Sequence, residues 1–240
     1  MNNFPVFYHP NIQDPFLSEE EAFHATKVLR LNLNSSIFII DGKGGKWLAK
    51  IKDINKKNVS IEIVESEENF QSKPLIHLVI APTKQMDRME WLTEKCTEVG
   101  IASIQFIKTF HSERKEVKLE RLNKIAISAI KQSKQLFLPE ILPIINFDEF
   151  LKNISIDNDK NFLFGSLLPG LNKTYKDIEN INKETYFLIG PEGDFSQEEL
   201  DKMLKMNWLP ISLGNTILRT ETAGLVGLIQ ISTLQNQKGD

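Results

Sequence analysis

From Pro74 onward, short unbroken apolar runs alternate with longer stretches in which apolar residues recur every three or four positions. The first rhythm predicts buried strands and the second predicts amphipathic helices. Strands are expected at 75–81, 104–108, 141–145, 162–164, 186–189 and 211–213. A helix is expected over 85–99, with Met89, Leu92, Cys96 and Val99 on one face and Gly100 as its stop. A second runs over 118–134, with Leu122, Ile125, Ala126, Ala129 and Ile130 inward, and Pro139 blocks its continuation. A short helix is expected at 147–151. Ser196 and Glu199 have the spacing of a capping box, so a further helix starts at Gln197; Thr220 is read as the N-cap of the last one, beginning at Glu221. Repeated strand–helix alternation implies an α/β fold with a largely parallel sheet covered on both faces.

The N-terminal part is different. Strands are expected at 4–10, 36–40, 46–54 and 58–64, with turns at 41–45 and 55–58. Ser18 and Glu21 form another capping-box spacing, opening a helix that runs to Arg30. The stretch 65–73 is polar and reads as a linker. Two domains follow, 1–72 and 73–240, the first a small β-rich barrel or sheet. Asp41-Gly42-Lys43-Gly44-Gly45 is glycine-rich but lacks the spacing of a phosphate loop and precedes a strand, so it reads as a hairpin turn.

Composition narrows the class. At 41% hydrophobic and 25% charged residues, the 240-residue chain has the balance of a soluble globular protein. No apolar run approaches the roughly 20 residues of a membrane span, and no signal peptide is evident, so a cytoplasmic protein is expected. The single cysteine, Cys96, excludes an internal disulfide. A net charge of −3 argues against nonspecific coating of nucleic acid. Positive charge is instead local, in the run from Lys108 through Arg114, Lys115, Lys118, Arg121, Lys124 and Lys131 to Lys134. A run of this kind is either a solvated helix face or an RNA contact.

The most specific stretches lie near the C-terminus. Tyr-Phe-Leu-Ile-Gly-Pro-Glu-Gly-Asp-Phe-Ser spans 186–196, and Leu-Gly-Asn-Thr-Ile-Leu-Arg-Thr-Glu-Thr-Ala spans 213–223. Each places a glycine-bearing loop after a strand, where open α/β sheets form their ligand crevices. Both segments closely resemble the last two motifs of the SPOUT superfamily of knotted, S-adenosylmethionine-dependent RNA methyltransferases. Within it they resemble the 16S rRNA (uracil-N3)-methyltransferase family, and the N-terminal Phe-Tyr-His-Pro and Val-Leu-Arg segments fit as well. The resemblance implies a trefoil-knotted C-terminal domain, a PUA-like N-terminal β-barrel domain that binds RNA, and a homodimer formed through the knotted domains. It also implies 16S rRNA or the small ribosomal subunit as partner.

Sequence chemistry is compatible with that. Four scattered histidines and one cysteine show no metal-ligand spacing, and neither Gly-x-Ser-x-Gly nor Gly-x-Gly-x-x-Gly occurs. Apolar Leu188, Ile189, Leu213, Ile217 and Leu218 can form an adenine slot, and the loops at Gly165, Gly190–Gly193 and Gly214 allow close backbone approach. The resemblance assigns the cofactor to Gly165, Ile189, Gly190, Pro191, Glu192, Gly193, Leu213, Gly214, Ile217, Leu218, Thr220, Thr222 and Ala223. Arg219 is expected to orient the uracil or stabilise its developing charge. Glu221 is either a general base or a charge at the helix N-terminus. Arg30, Lys43, Arg114, Lys118, Arg121 and Lys131 are the candidate RNA contacts. The sequence departs from the family at Lys134-Gln135, where arginine is expected, and at Asp194, where glycine is common. Two other readings stay open: a methyltransferase acting on tRNA or 23S rRNA, and a non-catalytic RNA-binding assembly factor.

Overall fold

The computed structural model describes residues 4–55, 58–67, 75–114, 116–155, 157, 159–167, 173–178 and 184–237. The expected linker from residue 68, the domain boundary at 72/73, Lys115 and the centre of the turn at 55–58 lie outside them. The chain divides into two compact units. One is Met1–Lys73 with Ile127–Leu138; the other is Pro74–Ala126 with Pro139–Asp240.

The first unit is built on a four-stranded sheet, β1 (Val6–Tyr8), β2 (Ser36–Ile40), β3 (Lys46–Ile54) and β4 (Val59–Glu67), in that order. β1 joins β2 in parallel, and the other pairs are antiparallel. The 41–45 turn is a hairpin connection, as expected. Asp41 Oδ1 accepts hydrogen bonds from the Lys43 and Gly45 amides, while Gly42 and Gly44 take positive φ. Phe7, Ala25, Ile37, Ile39, Ala49 and Ile51 form a fully buried core.

The helix expected to reach Arg30 is shorter. Regular α1 (Glu19–Phe23) passes into a π-helical turn, His24–Val28. The Ser18 box is only half formed. Ser18 accepts from the Glu21 amide, but the Glu21 carboxylate pairs with Lys131 at 2.6 Å instead of returning to Ser18. A charge-assisted bond to a cation is the stronger partner for a buried carboxylate. Residues of the 127–138 segment also complete a small cluster, in which Ile130 and Leu136 pack with Ile40.

The second unit holds a six-stranded sheet in the order β10-β8-β9-β5-β6-β7, every pairing parallel. Its strands are β5 (Ile76–Ile80), β6 (Ser103–Lys108), β7 (Glu140–Asn146), β8 (Lys160–Gly165), β9 (Glu184–Ile189) and β10 (Leu209–Ile211). Helices α2 (Met86–Val99), α4 (Phe147–Asn153), α5 (Gln197–Lys205) and α6 (Thr220–Gln237) surround it, and α3 (Leu119–Ser133) continues into the first unit. β10 lies two residues earlier than the sequence suggests, and Thr220 is the first helical residue rather than the cap. α2 ends at Gly100 in the left-handed conformation, as expected.

α6 packs on β5, β9 and α2. Its small residues make that approach possible. A Cβ at Gly227 would stand 2.0 Å from the Phe187 ring, and one at Gly224 would stand 3.3 Å from Ile80 and Leu78. These glycines therefore seat the helix on its own sheet.

At the start of the strands, His77, Tyr186, Glu184 and Lys160 form a network. His77 stacks on Tyr186, its Nε2 lies 3.1 Å from Glu184, and the Tyr186 hydroxyl donates to Glu184 at 2.9 Å. Lys160 reaches the other Glu184 oxygen at 3.2 Å. Partial burial raises the Glu184 pKa, but the Tyr186 and Lys160 hydrogen bonds and the His77 and Lys160 charges outweigh it, leaving the carboxyl below its ordinary value. Burial and the same carboxylate push Tyr186 up to about 12. A depressed folded-state carboxyl contributes stability above its unfolded pKa of about 4.3, and loses it as pH falls through the folded value. Glu184→Gln should therefore lose less stability than wild type on acidification from about pH 5 to 3, read as the shift in urea midpoint.

Candidate cofactor crevice and active site

Three adjacent strands, β10, β8 and β9, end at one edge of the sheet, and the loops leaving them enclose a crevice of about 280 Å³. Gly165, Ser166 and Leu167 follow β8; Gly190, Pro191, Glu192 and Asp194 follow β9; Leu213, Gly214 and the 216–220 segment follow β10. Ala223, on the first turn of α6, completes the lining. The wall is mostly apolar and backbone, in the manner of small-molecule sites. Glycine at 165 leaves room for its neighbours, since a Cβ would come within 2.7 Å of the Ile189 Cδ1 methyl, which would have to move aside. Gly214, at φ +140°, holds a backbone conformation that side chains disfavour.

The expected cofactor residues converge on this crevice with two exceptions. Gly193 sits just outside it, against His111, where a Cβ would be 3.1 Å from the imidazole-bearing carbon. Thr222 is on the first turn of α6 but does not line the wall. Sequence reasoning missed Ser166, Leu167, Asp194 and Thr216, which line it. Asp194 carried a signal: it replaces a common glycine, and its φ is +59°. Aspartate is one of the few residues that tolerates that region.

Arg219 lines the crevice and is exposed, with no ion pair among the described residues. Glu221 is elsewhere. It is buried, one oxygen stands 3.6 Å from Arg88 Nε on α2, and the other has no hydrogen-bond partner among the described residues. It does not line the crevice.

The loop after β9 is firmly held. Ser196 and Glu199 form the full capping box at the start of α5, as the sequence predicted. The second Glu199 oxygen accepts from the Phe110 amide at 2.8 Å, tying this loop to the one after β6.

The six expected RNA cations are in different situations. Arg114 donates to the Thr83, Lys84 and Glu116 carbonyls. Arg121 pairs with Glu90 at 2.7 Å, and Lys131 with Glu21. Arg30, Lys43 and Lys118 are exposed and carry no ion pair among the described residues. Arg30 adopts φ +52°. Among the described residues there is no metal-binding cluster, and no helix is long and apolar enough to cross a membrane.

A parallel sheet whose edge loops form a largely backbone-walled crevice, lined also by a guanidinium without an ion pair among the described residues, is a small-molecule site, and comparison with known proteins gives the class. Residues 71–232 match the model of the RNA methyltransferase domain, and residues 17–64 match that of the RNA methyltransferase PUA domain. Ribosomal RNA small subunit methyltransferase E of Buchnera aphidicola is 32% identical over 91% of this chain and 87% of its own. The protein of the same name from Rickettsia conorii is 31% identical over 90% and 88%. A probable rRNA-methyltransferase from Porphyromonas gingivalis superposes with a TM-score of 0.89 at 36% identity, covering 98% of this chain and 99% of that one. A ribosomal RNA small subunit methyltransferase E from Neisseria gonorrhoeae, bound to S-adenosyl methionine, gives 0.86 at 28% identity over 97% and 98%. The chain belongs to the ribosomal RNA small subunit methyltransferase E family.

Proposed function

We propose that this protein transfers the methyl group of S-adenosylmethionine to N3 of a uridine in 16S rRNA. The observation that carries the reading is the crevice itself, where three glycine-bearing strand ends meet beside Arg219. The similarity to a structure bound to S-adenosyl methionine supports the choice of cofactor. Gly165, Ile189 and Leu213 would flank the adenine, and the backbone of 190–192 would approach the ribose and the amino-acid portion. When bound, the sulfonium supplies an activated methyl group. The protein's own task is positioning. The uracil must leave its base pair for N3 to be reachable. Arg219 faces it and compensates the negative charge that grows on the carbonyl oxygens as the N3 proton departs to solvent at the crevice mouth. Glu221, turned onto Arg88 and away from the crevice wall, supports the second of its two roles, a charge fixing the first turn of α6.

Residues 1–72 would hold the RNA and 73–240 would carry out the transfer, in the cytoplasm where ribosomes assemble. Residues 223–229 of α6 are an unbroken run of apolar residues and glycines, and Ile229 in it and Trp91 on α2 are exposed. That supports a homodimer through these helices, to be read as a dimer mass by sedimentation equilibrium. The return of α6 from edge strand β10 to central β5 and β9 supports the trefoil knot. Mapping modified nucleosides in rRNA from a deletion strain tests the target. Loss of one N3-methyluridine from 16S rRNA is expected, whereas loss from tRNA or 23S rRNA would move the substrate.

A further inference from the structure

The C-terminal edge of the sheet carries a second cleft, of about 520 Å³, that the methyl-transfer site does not use. It lies between the loop after β6, the end of β7 and the first turns of α5. Phe110 lines it and is 77% exposed. The loop that presents this ring is anchored. The Thr109 amide and hydroxyl meet Ser112 Oγ at 2.9 and 2.8 Å, the Phe110 amide donates to Glu199, and His111 Nδ1 lies 3.0 Å from the Asp194 carbonyl. A fixed backbone thus holds an apolar ring in water beside a cavity.

The charges around the cleft decide what it suits. Glu199 is buried and both its oxygens are engaged. Asp148 and Glu198 are both paired with Lys202, at 2.8 and 2.9 Å. Lys202 offsets only one of those two carboxylates, and Glu149 adds another, while Lys108 and Lys152 are exposed and without an ion pair among the described residues. Asn146 precedes α4 yet makes no side-chain capping bond, and no other side-chain hydrogen bond of it occurs among the described residues. An aromatic face, a neutral amide and two exposed lysines without ion pairs among the described residues, in a lining of three lysines and four carboxylates, suit neither a bare phosphate nor a purely apolar ligand. They suit an unpaired nucleobase, with the ring to stack on, the amide for a base edge and a lysine for the adjoining phosphate.

We propose that this cleft binds an unpaired nucleobase of the RNA substrate neighbouring the methylated nucleotide, with Phe110 as its stacking platform. The proposal rests on the RNA-methyltransferase reading above. The two sites are sides of one segment: Glu192 and Asp194 line the cofactor crevice, and Ser196 and Glu199 line the cleft. An RNA strand following that segment would place one base in each.

The test uses Phe110→Trp, Phe110→Ala and Phe110→Tyr in the full chain. Single-stranded oligouridylate of about ten nucleotides should quench the fluorescence of Phe110→Trp saturably beyond its effect on wild type, and a duplex of equal length should not. Phe110→Ala should raise KM for the rRNA substrate about tenfold or more, by loss of one base–aromatic stack. Phe110→Tyr should restore it, and the S-adenosylmethionine Kd should be unchanged throughout. Equal quenching in wild type and Phe110→Trp, or an unchanged KM in Phe110→Ala, overturns the cleft proposal while leaving methyl transfer intact. Quenching by single strands in a protein that binds no S-adenosylmethionine would instead support the cleft and remove the methyltransferase reading. If Phe110→Ala fails to fold, the Trp quenching and the Tyr KM decide.

Discussion

Arg219→Ala should slow methyl transfer by roughly 10²–10³, measured in single turnovers at saturating RNA and cofactor. The guanidinium lines the crevice, is exposed to whatever enters, and forms no ion pair among the described residues. Its charge is therefore available to the substrate. Uracil N3 carries a proton, and methylation leaves it neutral only after that proton is gone. A cation beside the carbonyls lowers the energy of the state in which the proton is leaving and the bond is forming. Arg219→Lys should recover only part of the rate, because a point charge cannot address two carbonyl positions as a planar fork does. A native rate in Arg219→Ala with the fold intact would remove the residue from the mechanism.

The second large effect is on stability. Gly227→Ala should lower the urea midpoint, although alanine in place of glycine ordinarily favours a helix by about 1 kcal/mol. The added carbon would sit 2.0 Å from Phe187 Cε1 and 2.4 Å from Cζ. Phe187 is fully buried in β9, between β8 and β5, and has nowhere to retreat. Overpacking of a dense core costs about 1–3 kcal/mol and can cost more, so it outweighs the helix propensity. Ile189, two residues beyond Phe187 on the same strand, lines the crevice, so cofactor affinity should fall with it. Gly224→Ala is the control. Its nearest neighbours, at 3.3 to 3.5 Å, are the methyl ends of Ile80, Leu78 and Leu92. A few tenths of an ångström would relieve that contact, and its midpoint should change little.

Periodicity located the elements well where they are long and buried, as at α2 with Met89, Leu92 and Cys96 inward, or β9. It failed at β10, where Pro210 sits inside the strand. Proline is tolerated there because β10 is an edge strand, and sequence alone does not tell edge from centre. The capping pattern was satisfied in full at Ser196 and only in part at Ser18, because Glu21 has a partner 110 positions away. Long-range pairing is invisible to local spacing. For the same reason Arg114, Arg121 and Lys131 read as free cations in the sequence, whereas the fold engages each of them. The glycine loops of the crevice were legible because glycine marks the places where backbone or ligand must come close. Ser166, Leu167 and Thr216 were not, since their only qualification is position at the end of a strand.

The account turns on one placement, the methyl donor against the glycine loops of β8, β9 and β10. The direct measurement is a crystal structure of the protein soaked with S-adenosylmethionine. It should show the adenine between Ile189 and Leu213 and the sulfonium methyl facing the side on which Arg219 stands. Density for the donor at any other surface, with the loops at Gly165, Gly190 and Gly214 empty, would contradict it.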